Sequence, residues 1–331
     1  MLRWRGLEST PSDLGRTVVT IGMYDGVHRG HQHLIRTTVE RARAAGRPAL
    51  LLTFDPHPSE VVRPGSHPAI LTSADRKAEL VGDLGVDAMC VLPFTQDFSR
   101  LTPEEFTHTV LVEHLYAAHV VVGQNFTYGH RAAGTVETLT ADGRRFGFGV
   151  EGVDLTSVGP APNPSGDGLG AGPVTISSTY IRACVAAGDM TSAALALGRP
   201  HRVDGVVVRG DRRGRELGYP TANVESPAHT AVPADGVYAG RLVLRDPRGA
   251  GVTAHPAAVS VGSNPTFAGA RRTVEAHLLD FDGDLYGEHV GVEFVERLRP
   301  MLSFPGVPEL LDAMGQDVAR TRAVLDVPEV S

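Results

Sequence analysis

The stretch "TVVTIGMYDGVHRGHQHLI", residues 17–35, decides how the first half of the chain is read. A short β-branched run, residues 17–22, leads into a turn carrying His28, His31 and His33 with Gly26 and Gly30. From His31 to Gly46 the apolar residues Leu34, Ile35, Val39 and Ala42 then recur at helical spacing. The order is strand, turn, helix. Further along, "ALLLTF" (residues 49–54) is a continuous apolar run of the kind found in strands covered on both faces. "TPEEF" offers Thr102 as N-cap, Pro103 in the first turn and Glu105 three residues after the cap, a helix start that runs on through Leu111 and Leu115. "HVVVG" (residues 119–123) is the next buried-strand candidate. Strands separated by helical patterns imply a parallel sheet with right-handed crossovers, and such sheets bind ligands at the carboxyl ends of their strands. The histidine turn falls at one of those ends.

The second half has another rhythm. After "GPAPNPSGDGLGAGP" (residues 159–173), read as a mobile loop, helical patterning returns in "SSTYIRACVAAG" (residues 177–188). Then "VDGVVVRG", "GVYAGRLVLR", "AAVSVG", "TVEAHLLDF" and "VGVEFVERL" follow as strand-like runs between Gly, Pro, Asp and Asn clusters, mostly with no helix between them. This predicts an antiparallel barrel. Leu310, Leu311, Met314 and Val318 mark an apolar stripe on a closing helix from Pro308 to about Leu325. A length of 331 residues accommodates two domains, placed at 1–186 and 187–331.

Composition limits the chemistry. The formal net charge of −7 argues against a general polyanion-binding surface, so any phosphate must be held locally and no nucleic-acid partner is expected. Cys90 and Cys184 are the only cysteines and form no metal-like spacing, which fits a reducing cytoplasm. No signal peptide and no run of membrane-spanning length is read, so no membrane partner is expected. Homo-oligomerisation is left open.

At a helix N-terminus the ring nitrogens of His28 and His31, the free amides and the helix dipole can converge on one anion, with Gly30 allowing close backbone approach. Such a site stabilises charge rather than forming a covalent bond. The ordinary alternative is a solvated helix start with incidental histidines; zinc lacks a further ligand set. In "GYPTAN" (residues 218–223), Thr221 and Asn223 bring oxygen donors to one side of an extended segment, which suits Mg2+ completed by substrate phosphates or, alternatively, a plain turn. Glu275 in "RTVEAHLLDF" points away from the face of Val274, and is either a general base or a solvated strand glutamate.

These motifs resemble one family. "GMYDGVHRGHQHL" is similar to the HxGH signature of nucleotidylyltransferases, in the form found in bacterial FAD synthetases, the bifunctional riboflavin kinase/FMN adenylyltransferases. The resemblance extends in order through "TFDPHP", "GQNFTYGHRAAGT", "ISSTYIR", "GYPTAN", "GVYAG", "VGSNPTF" and "VEAHLLDF", with Tyr24 where the family usually has Phe. It implies a Rossmann-like α/β nucleotidylyltransferase domain of parallel strands flanked by helices, then an antiparallel β-barrel kinase domain with a C-terminal helix. It implies substrates riboflavin, FMN and ATP, product FAD, and Mg2+ in both domains.

Residue by residue, the resemblance implies that His28 and His31 contact ATP phosphates and that Asn125, often Asp in relatives, positions the reacting groups. It places Gly22, Tyr24, Asp25 and Gly30 at the nucleotide. Ser177, Ser178, Thr179 and Arg182 go to its departing phosphates, with a plain N-cap and surface arginine as the alternative. Phe54, Pro56, Pro58 and Phe126 fall on the flavin side, although an aromatic residue and prolines after a strand also serve packing and turns. In the second domain, Thr221 and Asn223 look like the magnesium pair and Glu275 like the base. Gly210, Gly214 and Pro220 belong to the nucleotide, with residues 208–218 as a flap or, alternatively, a solvated basic hairpin. Two other functions stay open: a transferase joining AMP to a different phosphorylated precursor, and a non-enzymatic flavin carrier.

Overall fold

The computed structural model describes residues 1–154, 157–158, 174–210, 214, 217–245, 251–263 and 272–327. The Gly/Pro-rich stretch 159–173, five residues of the flap (211–213 and 215–216) and the end of "VGSNPTF" lie outside the described residues. The chain divides into two compact units, Met1–Pro68 with Ala74–Ser157, and Ala69–Ser73 with Val158–Ser331.

In the first unit, strands β1 (Leu2–Arg5), β2 (Thr17–Ile21), β3 (Ala49–Asp55), β4 (Ala88–Pro93), β5 (Ala117–Gly123) and β6 (Gly149–Val153) form one sheet. Their order is β1-β4-β3-β2-β5-β6 and every pairing is parallel. All five residues of β2 are buried, as are the first five of β3, because helices cover both faces. Alternation divides the load: Val18, Leu51 and Val121 meet α1 (Arg29–Ala44) and α2 (Ala74–Asp83). Val19, Leu50 and Val120 meet Phe106, Leu111 and Leu139 on the other side, from α3 (Pro103–Phe106), its π-helical continuation Thr107–His114, and α4 (Val136–Phe146). The capping box read from "TPEEF" forms: Thr102 Oγ1 accepts the Glu105 N–H at 3.2 Å, and the Glu105 carboxylate accepts the Thr102 N–H at 2.8 Å. After β2 the chain adds strands to one side, and at β5 it begins adding them to the other. The crevice at the carboxyl ends of β2 and β5 is therefore the topological switch point, where ligands bind in open α/β sheets.

In the second unit, β7 (His201–Val208), β8 (Ala222–Glu225), β9 (Gly236–Arg245), β10 (Val252–Ser263), β11 (Arg272–Leu278) and β12 (His289–Arg299) close a barrel in the order β8-β11-β10-β9-β12-β7. All its pairings are antiparallel. Val203, Val224, Tyr238, Leu242, Val259, Val274 and Phe294 share its core. The same core takes Ile181, Cys184, Val185, Met190, Ala193 and Leu197 from α5 (Ser178–Ala187) and α6 (Met190–Leu197). That packing is why the compact-unit boundary falls ahead of α5, whereas the sequence placed the domain junction at 186/187.

The closing helix, α7 (Val307–Leu325), forms where expected, and its covered side includes the expected stripe. Asp317, Thr321 and Leu325 are its buried residues, while Leu310, Leu311, Met314 and Val318 are only half-covered. On that side Asp317, 5% exposed, accepts from Arg299 Nη2 at 2.7 Å and from its Nε at 3.0 Å, tying the helix to β12.

Candidate active sites

The histidine turn is built from unusual backbone. Tyr24, Gly26 and Val27 have φ of 50°, 85° and 40°, so three of four consecutive residues sit in the left-handed region, one of them β-branched. Gly26 is suited to this; Val27 is not, and it is held by its N–H to the Tyr24 carbonyl (3.2 Å) and by Gln32 Nε2 on its own carbonyl (2.9 Å). The Met23 carbonyl accepts from Thr53 Oγ1 at 3.2 Å and from Lys77 Nζ at 2.8 Å. Below the turn, Tyr24 is fully buried with its hydroxyl 2.5 Å from Thr20 Oγ1.

The helix begins two residues earlier than its apolar spacing indicates, at Arg29, because His28 is the N-cap. His28 Nδ1 accepts the His31 backbone N–H at 3.2 Å, so a neutral His28 carries its proton on Nε2, where it can donate to an anion. The two imidazoles stack at 3.6 Å between centroids, 18° from parallel, and the Tyr24 ring meets His31 edge-on at 5.1 Å. Burial, the neighbouring His28 and the Lys77 ammonium together hold the His31 pKa well below the usual imidazole value. At neutral pH His31 is therefore an uncharged ring. Asp25 is buried in the same turn. Asn125 lies just beyond β5 on the neighbouring strand end and is exposed.

Phe54, at the end of β3, and Phe126, after β5, are half-buried and terminate a run of aromatic rings. Phe54, Phe94, Phe98, Phe106, Tyr128 and Phe126 touch in succession, with centroids 5.4 to 6.0 Å apart. Phe94, Phe98 and Tyr128 were not singled out from sequence, because their spacing along the chain carries no period and only the fold gathers them. Pro56 is exposed and Pro58 opens a single helical turn, Pro58–Val62.

The second unit builds its site from extended strands. Asn223 on β8 is the register partner of Glu275 on β11, and Glu275 is in turn opposite Ser260 on β10. These three therefore share one face, while Val224, Val274, Ala276 and Val259 point into the core. The alternation expected around Glu275 is present. A cavity of about 450 Å3 is lined by Gly210, Pro220, Thr221 and Asn223, together with Phe281, Asp282, Asp284 and Tyr286. Glu275 is not part of that lining and adjoins it through Asn223. A Cβ on Gly210 would overlap the Asn223 amide, and one on Gly214 would reach the Tyr219 carbonyl, so both glycines permit close approach. Phe281 ends the strand-like run "TVEAHLLDF", whereas residues 282–286 went unread in the sequence.

The helix start of "ISSTYIR" belongs to this unit by its contacts. Ser177 caps α5, accepting the Tyr180 N–H at 3.2 Å, and Arg182 Nε donates to the Ala69 carbonyl at 2.6 Å. Ser178 is half-buried and Thr179 exposed. Neither cysteine is placed for catalysis: both are unpaired and buried, which pushes the Cys90 thiol up to about 12 and the Cys184 thiol up to about 11.

A family model described as FAD synthetase matches residues 10–162, and one described as riboflavin kinase matches residues 197–325. The bifunctional riboflavin kinase/FMN adenylyltransferase of Pseudomonas fluorescens is 37% identical over 97% of this chain and 96% of its own length. Its Escherichia coli K12 counterpart is 34% identical over 92% of this chain and 91% of its own. A crystal structure described as a macrolide-efflux protein from Streptococcus pneumoniae is similar with a TM-score of 0.82 and 31% identity, covering 97% of this chain and 99% of that one. Among the described residues, no helix is long and apolar enough to cross a membrane.

Proposed function

The chain belongs to the bifunctional riboflavin kinase/FMN adenylyltransferase family, and from that premise we propose that its barrel unit phosphorylates riboflavin and its parallel-sheet unit adenylylates the product. The observation that carries the reading is that each unit has its own site of the right chemistry. The barrel pairs a neutral oxygen donor, Asn223, with a carboxylate, Glu275, beside a cavity; the sheet presents two stacked imidazoles at its switch point, that of His31 uncharged.

In the barrel, Glu275 takes the proton of the ribityl 5′-hydroxyl as that oxygen bonds to the γ-phosphorus of ATP, and ADP leaves. Thr221 and Asn223 suit Mg2+: both are neutral oxygen donors lining the cavity, which Asp282 and Asp284 also line. Mg2+ bound there would neutralise phosphate charge. In the sheet unit, an ionised phosphate oxygen of FMN attacks the α-phosphorus of ATP and pyrophosphate leaves. That nucleophile needs no base, so His28 and His31 serve as hydrogen-bond donors to phosphate oxygens, and no covalent intermediate is required. Mg2+ in this unit would be carried by the phosphates of the nucleotide. The aromatic run ending at Phe54 and Phe126 offers an apolar face for the isoalloxazine. Two unpaired cysteines fit a reducing, cytoplasmic setting.

The test is a time course with riboflavin, ATP and Mg2+, separating the flavins by chromatography. FMN appears first and FAD follows. Accumulation of FMN alone would remove the adenylyl assignment, and unchanged riboflavin would overturn the whole reading.

A further inference from the structure

We propose that Lys77 is a positioning residue of the adenylyl-transfer site, its ammonium anchoring the Met23 carbonyl and through it the left-handed turn that presents His28 and His31. The inference rests on the adenylyl-transfer reading of the first unit.

The turn from Met23 to Val27 adopts a conformation that its own residues disfavour, with Tyr24 and Val27 both at positive φ. Such backbone persists only when its surroundings fix it. The Met23 carbonyl opens the turn and receives two side-chain hydrogen bonds from separate elements, Thr53 on β3 at 3.2 Å and Lys77 on α2 at 2.8 Å. The shorter one comes from a cation and is the stronger kind.

Lys77 is mostly covered, and covering an ammonium opposes its charge. Asp25, in the turn itself, and Asp55, at the end of β3, act in the opposite direction. A lysine kept only for packing would spread its alkyl chain over α2 and lead its charge to water. Here the charged end is turned inward onto a main-chain oxygen five residues ahead of His28, and its field reaches His31. Helix α2 thus helps set the geometry of α1's N-terminus.

The decisive measurement uses full-length Lys77→Met and Lys77→Arg with the wild type. It compares kcat and KM for FMN adenylylation, the riboflavin kinase rate, and the fluorescence of Trp4, the chain's one tryptophan, which is buried in this unit. We expect Lys77→Met to lose about 10- to 100-fold in kcat, with KM for ATP changed less than about 3-fold and the kinase rate unaltered. Lys77→Arg, which keeps the charge, recovers most of the loss. Wild-type kcat in Lys77→Met overturns the proposal, as does a loss equal to the unfolded fraction that Trp4 reports. If Lys77→Met does not fold, Lys77→Gln decides, since it keeps a polar side chain but removes the ammonium. A folded Lys77→Gln with lowered kcat supports the anchored turn, and one at wild-type kcat refutes it. A wild type that makes FMN but no FAD would instead remove the reading on which the inference stands.

Discussion

The two sites solve a phosphate problem by opposite means. In the sheet unit, a few consecutive residues in a conformation they disfavour bring two stacked imidazoles and a carboxylate to the start of one helix, and neighbouring elements hold that turn in place. In the barrel, nothing is strained at Asn223 or Glu275. Ordinary antiparallel register sets them opposite each other, and alternation keeps them off the core. The first site depends on local geometry, the second on the pairing of strands distant in sequence. Disturbance should therefore reach them by different routes.

The sharpest way to separate them is to remove one chemical group from each. Glu275→Gln keeps size and hydrogen bonding but cannot take the hydroxyl proton, and riboflavin phosphorylation should fall about 10²- to 10⁴-fold. FAD formation from supplied FMN should continue at the wild-type rate. A kinase rate that survives would show that Glu275 is a strand-face glutamate and not the base. His31→Ala does the converse, lowering adenylylation about 10²- to 10³-fold while FMN accumulates from riboflavin. Unchanged FAD output from His31→Ala would dismiss the histidine turn as the reacting site.

This difference in construction also explains what could be read from sequence. The turn was legible because strand, histidines, glycines and helix are contiguous, and the capping box at Thr102 was legible for the same reason. The outward direction of Glu275 followed from its alternation with Val274 and Ala276. That Asn223 stands directly opposite Glu275, with Ser260 beyond, could not be read, because register between distant strands is settled by the closing of the barrel. Lys77 was invisible too. It sits on an ordinary amphipathic helix, and only the fold brings its amine to the Met23 carbonyl. The apolar stripe of α7 was legible from its spacing, but the Arg299–Asp317 pair on the same side was not, because it joins residues of two elements that only the fold brings together.

The register-built site has its own sensitive point at Gly210, where a methyl group would displace the Asn223 amide. Gly210→Ala should raise the KM for MgATP in the kinase assay about 10-fold, a loss of binding of about 1.4 kcal/mol, with adenylylation untouched. Steady-state titrations of Mg2+ at fixed ATP measure it. An unaltered KM would mean that Asn223 can move without consequence and does not belong to the metal's surroundings.

The smallest effect is in stability, and it belongs to the sheet unit. Burial is the leading cause of the lowered pKa of both His31 and His119, which means the folded unit prefers both rings neutral. The unfolded chain takes up those protons near the ordinary value of about 6.5, so it binds more protons than the folded state just below that pH. The stabilising preference is thus whole above about pH 6.5 and is lost as the pH falls from there toward the folded values. One such ring costs up to about 1.4 kcal/mol per pH unit within that window. Trp4 fluorescence in urea, followed at pH 7.5 and pH 5.5, should show the midpoint of this unit moving down in acid. His31→Gln should remove part of the shift, and the double variant His31→Gln/His119→Gln most of it. A midpoint that moves as far in the double variant as in the wild type would assign the acid sensitivity to other groups, and the turn would then hold His31 without favouring its neutral form.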